Sequence, residues 1–308
     1  MKAPVLNPLL TGHAVRYLSS LPTVGLKLFP LLRVPERAAN YYVWDPSNDL
    51  NIPDKIQRAP GSGFKRIISK LSDDTYFCKD YGVEEALDKM EVKLYENFLS
   101  ADKAVSDRTT WVVAMHHEIR VRDAVAGLTQ TSSPATKWDQ PNSDPIGDIK
   151  AAKRVIQDAT GTVPNLLTIN QDVYDVLEDH PQITAKYQYT AGGILTKDQV
   201  ARALGIEEIQ IAGQVLNTAP EGAAAAVAQV WGDSAVLSIS RAGADIKALN
   251  LGRTFNWIGA EGSGPAGIGM YSYDQEEIDS RIHRSRQFTD EKIIAQGAGY
   301  LLTNVLAA

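Results

Sequence analysis

The first 80 residues constrain this chain most, because they carry apolar side chains in no period that would let the segment bury them by itself. Residues 1–37 hold five prolines, Pro4, Pro8, Pro22, Pro30 and Pro35, and each removes a backbone donor and fixes φ. Between them Leu26, Leu28, Leu31, Leu32 and Val34 keep neither helical nor strand spacing. Proline at this density is expected to break every candidate helix, so 1–37 reads as an arm that lies along something else. Residues 38–82 then read as a long two-stranded excursion. A β-rich stretch from Ala39 to Asp45 leads to a turn-rich tip at 46–63 with Pro46, Pro53, Pro60, Gly61 and Gly63, and alternating stretches return over 64–79. Excursions of this length are uncommon inside a compact domain and are usually functional.

Charge separates the same segment from the rest. The net charge of −6 over 308 residues excludes a general nucleic-acid binder. Residues 1–70, however, carry ten Lys/Arg against four acids, a net of +6, which leaves −12 for the remainder. A basic arm of one molecule can therefore meet the acidic body of another, although solvated basic loops would give the same count. A compact body of this mass would expose about 12,700 Å², a figure the unburied arm and excursion should exceed.

The remainder divides into three sections. Residues 83–98 are rich in Glu, Lys and Leu and read as helix. After a break at Ser100 to Lys103, a second helix over about 105–128 places Val105, Val112, Met115, Ile119 and Ala126 on one face; its 24 residues make a rod of about 36 Å. Residues 145–240 have the clearest α/β pattern. Asp144 caps a helix with Pro145 at its first position and Gly161 at its end, and a strand runs over 165–169. A second helix follows Asn170, a third covers 196–204 before Gly205, a strand spans 208–211, and a hairpin over 227–239 turns at Gly232 and Asp233. The last section is strand-rich: 253–258, 268–273, an alternating run through Ile278, Ser280, Ile282, Arg284 and Arg286, and an apolar ending at 300–306 that suits a strand tucked into a sheet.

Motifs that carry chemistry have structural readings here. Gly262, Gly264 and Gly267 match GxGxxG, but Pro265 intervenes and the sequel from Met270 to Asp274 is β-prone, so the cluster is read as a hairpin loop rather than a phosphate cradle. His116, His117 and Glu118 are adjacent on a helix and point about 100° apart, with no second His at i+4; a solvated or intersubunit face is the reading, not a metal site. The single cysteine, Cys78, excludes an intramolecular disulfide and reads as a small core or interface residue. No catalytic, cofactor-binding or metal residue is assigned. Pro4, Pro8, His13 and Arg16 interrupt any N-terminal apolar run, and the longest apolar stretch, at 223–231, falls short of the ~20 residues that span a bilayer.

The order of arm, hairpin excursion, long helix, inserted α/β unit and closing strands resembles the major capsid proteins of tailed bacteriophages, whose fold is named for phage HK-ninety-seven. The wording is similar in short stretches: Ile149-Lys-Ala-Ala-Lys-Arg154, Val163-Pro-Asn-Leu-Leu-Thr-Ile-Asn170, Val176-Leu-Glu-Asp-His-Pro-Gln-Ile183, Leu204-Gly-Ile-Glu-Glu-Ile209 and Val230-Trp-Gly-Asp-Ser-Ala-Val-Leu237. Upstream, Val34-Pro-Glu-Arg-Ala-Ala-Asn-Tyr-Tyr-Val43 and Arg58-Ala-Pro-Gly61 look like the start and tip of that family's E-loop.

The resemblance implies an α+β, HK-ninety-seven-like capsid fold with an N-terminal arm at 1–37 and an E-loop at 38–82. It further implies a peripheral domain from 83–144 and 244–308, with a spine helix at about 105–128, and an axial domain at 145–243. It implies a structural protein, not an enzyme, that self-assembles into pentamers and hexamers of an icosahedral head enclosing double-stranded DNA. The implied partners are other copies, a portal, a separate scaffolding protein since the arm starts at Met1, decoration proteins, and DNA bound without sequence specificity. There is no membrane partner and no cofactor, and the location is the virion shell, assembled in the host cytoplasm. The candidate intersubunit contacts are Lys55, Arg58, Lys65 and Arg66 on the excursion with Arg33 and Arg37 on the arm. Some members weld subunits by a lysine–asparagine bond; Lys55, Lys65 and Lys70 lie in the E-loop region, but no acceptor is identifiable by motif. The alternatives are an encapsulin-type compartment shell, which shares the fold and holds enzymes, and an α/β enzyme built on 145–243.

Overall fold

The strand Ser280–Ile293, with 14 residues the longest in the fold as described, organises the larger of two main sheets. The computed structural model describes residues 5–52, 56–66, 74–92, 98–187, 195–220, 222–243, 245, 247–259 and 267–307. Along one edge of this strand runs Lys79–Asp88, antiparallel. Along its other edge it pairs first with Ile268–Gln275 and then with Gly252–Trp257. Thr289 thus faces Lys79 on one side and Asn256 on the other. Leu31–Val34 adds a parallel strand beside Gly252–Trp257, and Val5–Leu6 pairs with Ile268–Gln275. The hairpin joining Ile268–Gln275 to Ser280–Ile293 turns through Glu276–Ile278 and Asp279, whose positive φ of 47° reverses the chain.

The second sheet has the order Thr131–Ser132, Gly299–Leu302, Ala235–Ser238, Leu166–Asn170 and Glu208–Ala212. Helices Pro145–Thr160, Gln171–Asp179, Pro181–Tyr187 and Lys197–Leu204 cover it, and Ile149, Ile156, Leu167, Ile169, Leu177 and Leu204 form a shared apolar core. The capping residues act as their types dictate. Asp144 accepts from the Gly147 N–H at 2.9 Å, and Gly161 and Gly205 end their helices in the left-handed conformation.

Several expectations need correction. The prolines of 1–37 do not prevent a helix. Pro8 occupies the first position of Pro8–Ser20, where its missing N–H costs nothing, and Asn7 caps it by accepting from Leu10 N at 3.1 Å. Pro22 lies just past its end. The segment also buries itself on its own chain: Leu10, Ala14, Leu28 and Phe29 are buried and Leu31–Val34 is a sheet strand. Residues 83–88 are strand, not helix. Tyr81, Val83, Glu85 and Leu87 are the more buried residues of Lys79–Asp88, alternating with exposed ones, so the period is two.

The long helix is Phe98–Ala126, 29 residues, so Ser100 to Lys103 do not interrupt it, and at 1.5 Å per residue it spans about 43 Å. The expected hairpin over 227–239 is also absent: Val227–Gln229 pairs with Val215–Asn217, whereas Ala235–Ser238 enters the second sheet between Leu166–Asn170 and Gly299–Leu302. The C-terminal strand Gly299–Leu302 therefore lies in the sheet of 145–243, not with the strands that precede it. Ala38–Asn40 pairs with Thr75–Phe77 at the base of the excursion, residues 79–82 of its expected return belong to the strand beside Ser280–Ile293, and Asp45 and Pro46 open a short helix, Pro46–Asp49, at the start of the expected tip. The glycine cluster at Gly262 and Gly264 lies outside the described residues.

Phe29 packs against Gly252 in an apolar cluster with Met115 of the long helix and Leu251. A Cβ on Gly252 would stand 2.5 Å from the Phe29 ring, so the absence of a side chain at 252 is what admits it. Phe29→Ala should lower the free energy of unfolding by about 3–5 kcal/mol. Leu9→Ala, at an 82% exposed position of the neighbouring helix, should change it by no more than about 0.5 kcal/mol. Urea unfolding of the two variants checks this, and equal midpoints would contradict the burial of 25–34.

Candidate functional site

Two features stand apart from an ordinary fold: a surface the chain does not cover, and a buried polar seam beneath the long helix. The surface is on the excursion. Beyond Asp49, which holds Asp45 N at 3.0 Å and bonds the Tyr42 hydroxyl, residues 50–52 and 56–66 form neither helix nor strand. Every residue from 56 to 66 is exposed. Ile52 is 82%, Ile56 77% and Phe64 74% exposed, and Leu50 is exposed as well. Single exposed apolar residues are normal on a protein surface; here four lie on one short segment with cations among them. The chain exposes 16888 Å², about a third more than a compact body of its mass.

Three candidate contact residues, Arg58, Lys65 and Arg66, sit on this segment, and the Arg58 guanidinium lies 5.1 Å from the centre of the Phe64 ring. Lys55 and Lys70 lie outside the described residues. Arg33 is an exposed residue of the strand Leu31–Val34 rather than of this segment. Arg37 is engaged within its own chain: its Nε donates to Cys78 O at 3.2 Å and its guanidinium lies 4.8 Å from the Phe77 ring centre. Among the described candidates, Arg33 and Arg37 are not on the segment that carries Arg58, Lys65 and Arg66. Cys78 is fully buried, and burial pushes its thiol up to about 12.

The seam corrects the reading of His116, His117 and Glu118. His116 is exposed, but His117 and Glu118 are buried. Glu118 accepts from Val24 N at 3.0 Å, Gly25 N at 2.8 Å and Trp231 Nε1 at 2.7 Å, so one carboxylate ties the N-terminal segment and the 230–234 turn to the long helix. Gly25 is required for this approach, since a Cβ there would lie 2.7 Å from Glu118 Oε2. Burial raises the Glu118 carboxyl above its ordinary range, against the pull of its three donors.

From the adjacent position on the helix, His117 Nε2 lies 3.1 Å from Thr254 Oγ1 and 3.6 Å from Glu291 Oε1. Arg120 holds Glu291 through two bonds of 2.8 and 3.0 Å and lies 3.8 Å from the Tyr81 ring centre. Burial alone would raise Glu291, but Arg120 and His117 hold it below its ordinary range. Burial drives His117 down to about 4, so it is neutral at pH 7.

Near the other end of the helix, Asp102 Oδ1 meets His283 Nε2 at 2.9 Å, and His283 Nδ1 meets Ser272 Oγ at 3.2 Å. The set has the residue types of a hydrolytic triad. His283 is fully buried between helix and sheet, however, so the relay joins two structural layers rather than facing a cleft. Among the described residues no group of three or more His, Cys, Asp and Glu is placed to hold a metal ion. The signal for the seam was present in the sequence: Asp102, Ser106, Thr109, Thr110, His117 and Glu118 recur at helical spacing on the buried side. Counting only apolar residues for periodicity hides it.

Comparison with known proteins agrees with this geometry. Residues 126–242 match the family model described as Phage major capsid protein E. A protein named major capsid protein from Burkholderia phage BcepMu is 24% identical over 218 residues, 68% of this chain and 69% of that protein. The crystal structure of a phage-related protein from Bordetella bronchiseptica RB50 superposes with a TM-score of 0.77 at 22% identity, covering 99% of this chain and 98% of that one. A virus-like particle from Pyrococcus furiosus gives a TM-score of 0.60 at 12% identity, with 95% and 97% covered. The fold is α+β and HK-ninety-seven-like.

Because His117 stays neutral in the fold to about pH 4 but takes up a proton near 6.5 when unfolded, its contribution is complete above pH 6.5 and is lost as pH falls towards 4. The loss is on the order of 3 kcal/mol. Glu118, with its raised carboxyl, works in the opposite sense, so the His117 contribution is isolated by comparing wild type with His117→Asn. The stability difference between them, from chemical denaturation at pH 7.5, 6, 5 and 4.5, should shrink steadily; a difference independent of pH would refute the buried neutral imidazole.

Proposed function

We infer that the chain is a structural capsid protein, the major shell subunit of a tailed-phage head. The observation that carries this reading is the agreement of the fold over nearly the whole chain with a phage-related protein, joined to the phage capsid family match over 126–242. Such a subunit functions by geometry. It must present surfaces that are stable in solution yet become buried against neighbours, and the 46–66 segment has that character.

In this reading copies form pentamers and hexamers of an icosahedral shell, and the 46–66 segment of one subunit lies over its neighbour. Its exposed isoleucines and Phe64 supply apolar area, while Arg58, Lys65 and Arg66 meet acidic surface on the −12 remainder. Lys55, and Arg33 on the sheet-edge strand Leu31–Val34, would extend that contact. The 145–243 section serves as the axial domain. Residues 1–37 are given a smaller role than a free arm, since most of their apolar area is already committed to their own chain. The acidic body suits an inner surface that must release double-stranded DNA, because a basic lining would hold phosphates tightly and make release salt-dependent. Portal, scaffolding and decoration proteins complete the particle, assembled in the host cytoplasm, and no reaction is assigned to the chain. Among the described residues no helix is long and apolar enough to cross a membrane.

Ile56→Asp with Phe64→Asp tests the contact without disturbing the fold, since both side chains are exposed. The double variant should keep its thermal midpoint as a subunit and fail to form closed shells by electron microscopy. Normal shells from it would remove 46–66 from the assembly contact. Nuclease-protected double-stranded DNA in particles from infected cells supports the phage-head reading; particles filled with an enzyme would instead make the chain a compartment shell.

A further inference from the structure

Where the long helix meets the sheet there is a cavity of about 20 Å³, bordered by His117, Glu118, Thr254 and Gln287 together with aliphatic residues such as Leu26 and Leu31. The size matters first. One water needs roughly 10–15 Å³ of such space, and it stays only where two to four polar groups converge. An apolar void of this volume would simply remain dry.

The polar groups on the two walls are complementary in a way that no contact between them completes. On the sheet side, Gln287 is 7% exposed, and its Nε2 is buried with no hydrogen-bond partner among the described residues. Its backbone is held in the ladder opposite Ile268 and Tyr81, so the residue cannot swing out to solvent without breaking register. A buried amide N–H left without an acceptor is costly.

On the helix side the groups are acceptors. The Thr254 hydroxyl has a single proton and donates it to Phe29 O at 3.0 Å. Towards His117 Nε2, at 3.1 Å, Thr254 Oγ1 can therefore only accept, and Nε2 must carry the imidazole proton. Glu291 Oε1, 3.6 Å from the same nitrogen, favours the proton there as well. In the neutral ring Nδ1 is then a bare acceptor. Glu118 Oε2 accepts from Gly25 N at 2.8 Å, and a carboxylate oxygen has room for a second bond.

We propose that this cavity is a binding site for one ordered water molecule, which accepts from Gln287 Nε2 and donates to His117 Nδ1 and Glu118 Oε2. Its three bonds fall within the usual number for a buried water. They join the strand Ser280–Ile293 to the centre of the long helix, at a place where the two layers have no direct bond between these side chains. A bound cation is the wrong chemistry for the site, because it would face the Gln287 N–H2 donors. The inference does not rest on the capsid reading: it concerns the helix–sheet contact within one chain.

The test is a structure of the full-length chain, in crystals or particles, at about 2 Å local resolution or better. A density peak 2.7–3.2 Å from both Gln287 Nε2 and His117 Nδ1 is expected. No peak, in a map that shows other buried waters, overturns the site, as does a Gln287 amide turned onto a protein oxygen. Gln287→Met keeps the length and apolar volume while deleting the donor; in its map the peak should be lost or fall to low occupancy, and an unchanged peak would remove Gln287 from the site. Nitrogen-15 spectra of His117 should report a neutral ring protonated at Nε2, and a proton on Nδ1 would overturn the assignment.

Discussion

The helix Phe98–Ala126 is held to the rest of the molecule by buried polar pairs, and their pairing fixes everything around it. Glu118 alone joins Val24, Gly25 and Trp231 to the helix. His117, Arg120 and Glu291 join it to the sheet in the middle, and Asp102 with His283 join it near one end. Apolar packing would tolerate a slide of the helix by one turn, because one aliphatic surface resembles another. A buried carboxylate does not tolerate it, since a slipped Glu118 or Glu291 would lose its donors and remain charged or protonated in an apolar setting. Register along a helix of about 43 Å is thereby specified at separated points.

The strand Ser280–Ile293 plays the matching part in the sheet. Both of its edges are paired along most of its length, so neighbouring strands are placed by it rather than by their own connections. Gly252 beside Phe29 and Gly299 beside Leu251 let the two sheets share one apolar region: a Cβ at either position would stand 2.5 Å from its neighbour. What remains uncovered is the excursion. At its base three residue pairs join Ala38–Asn40 to Thr75–Phe77, and Trp44 N and Phe77 N reach Ile294 O and Asp290 on the body, yet its described tip carries Ile52, Ile56 and Phe64 into solvent. A rigid body with an apolar, cationic extension is what an assembling subunit requires, because the body sets the angle and the extension supplies the contact.

Legibility in the sequence followed how local the determinants are. The helix Pro145–Thr160 was readable because Asp144, Pro145 and Gly161 state its start and stop within the chain itself. The strand Leu166–Asn170 and the helix Lys197–Leu204 were readable for the same reason. Residues 83–88 misled because Glu84, Glu85 and Leu87 have helix propensity, while their pairing with Ser280–Ile293 lies some 200 positions away and overrides it. Pro8 misled because proline both breaks helices and begins them, and Asn7 decides which. Of the candidate contacts, Arg58, Lys65 and Arg66 were legible as exposed cations of an excursion, whereas the engagement of Arg37 with Cys78 and Phe77 depends on a strand pairing that composition does not contain. The polar seam is hidden because burial of Glu118 becomes favourable only through the N–H groups of residues 24, 25 and 231, and that of His117 through Thr254 and Glu291, all distant in the chain.

In the function proposed above, the chain is a tile whose exposed segment is completed by other copies. Negative-stain microscopy of the purified full-length protein, supported by light scattering, tests it most directly. Closed particles tens of nanometres across, or uniform rings that close into such particles when concentrated, are the predicted result. A monodisperse species of 33.6 kDa that persists at high concentration and across salt conditions, with 46–66 as exposed to proteolysis as in the isolated chain, would contradict it.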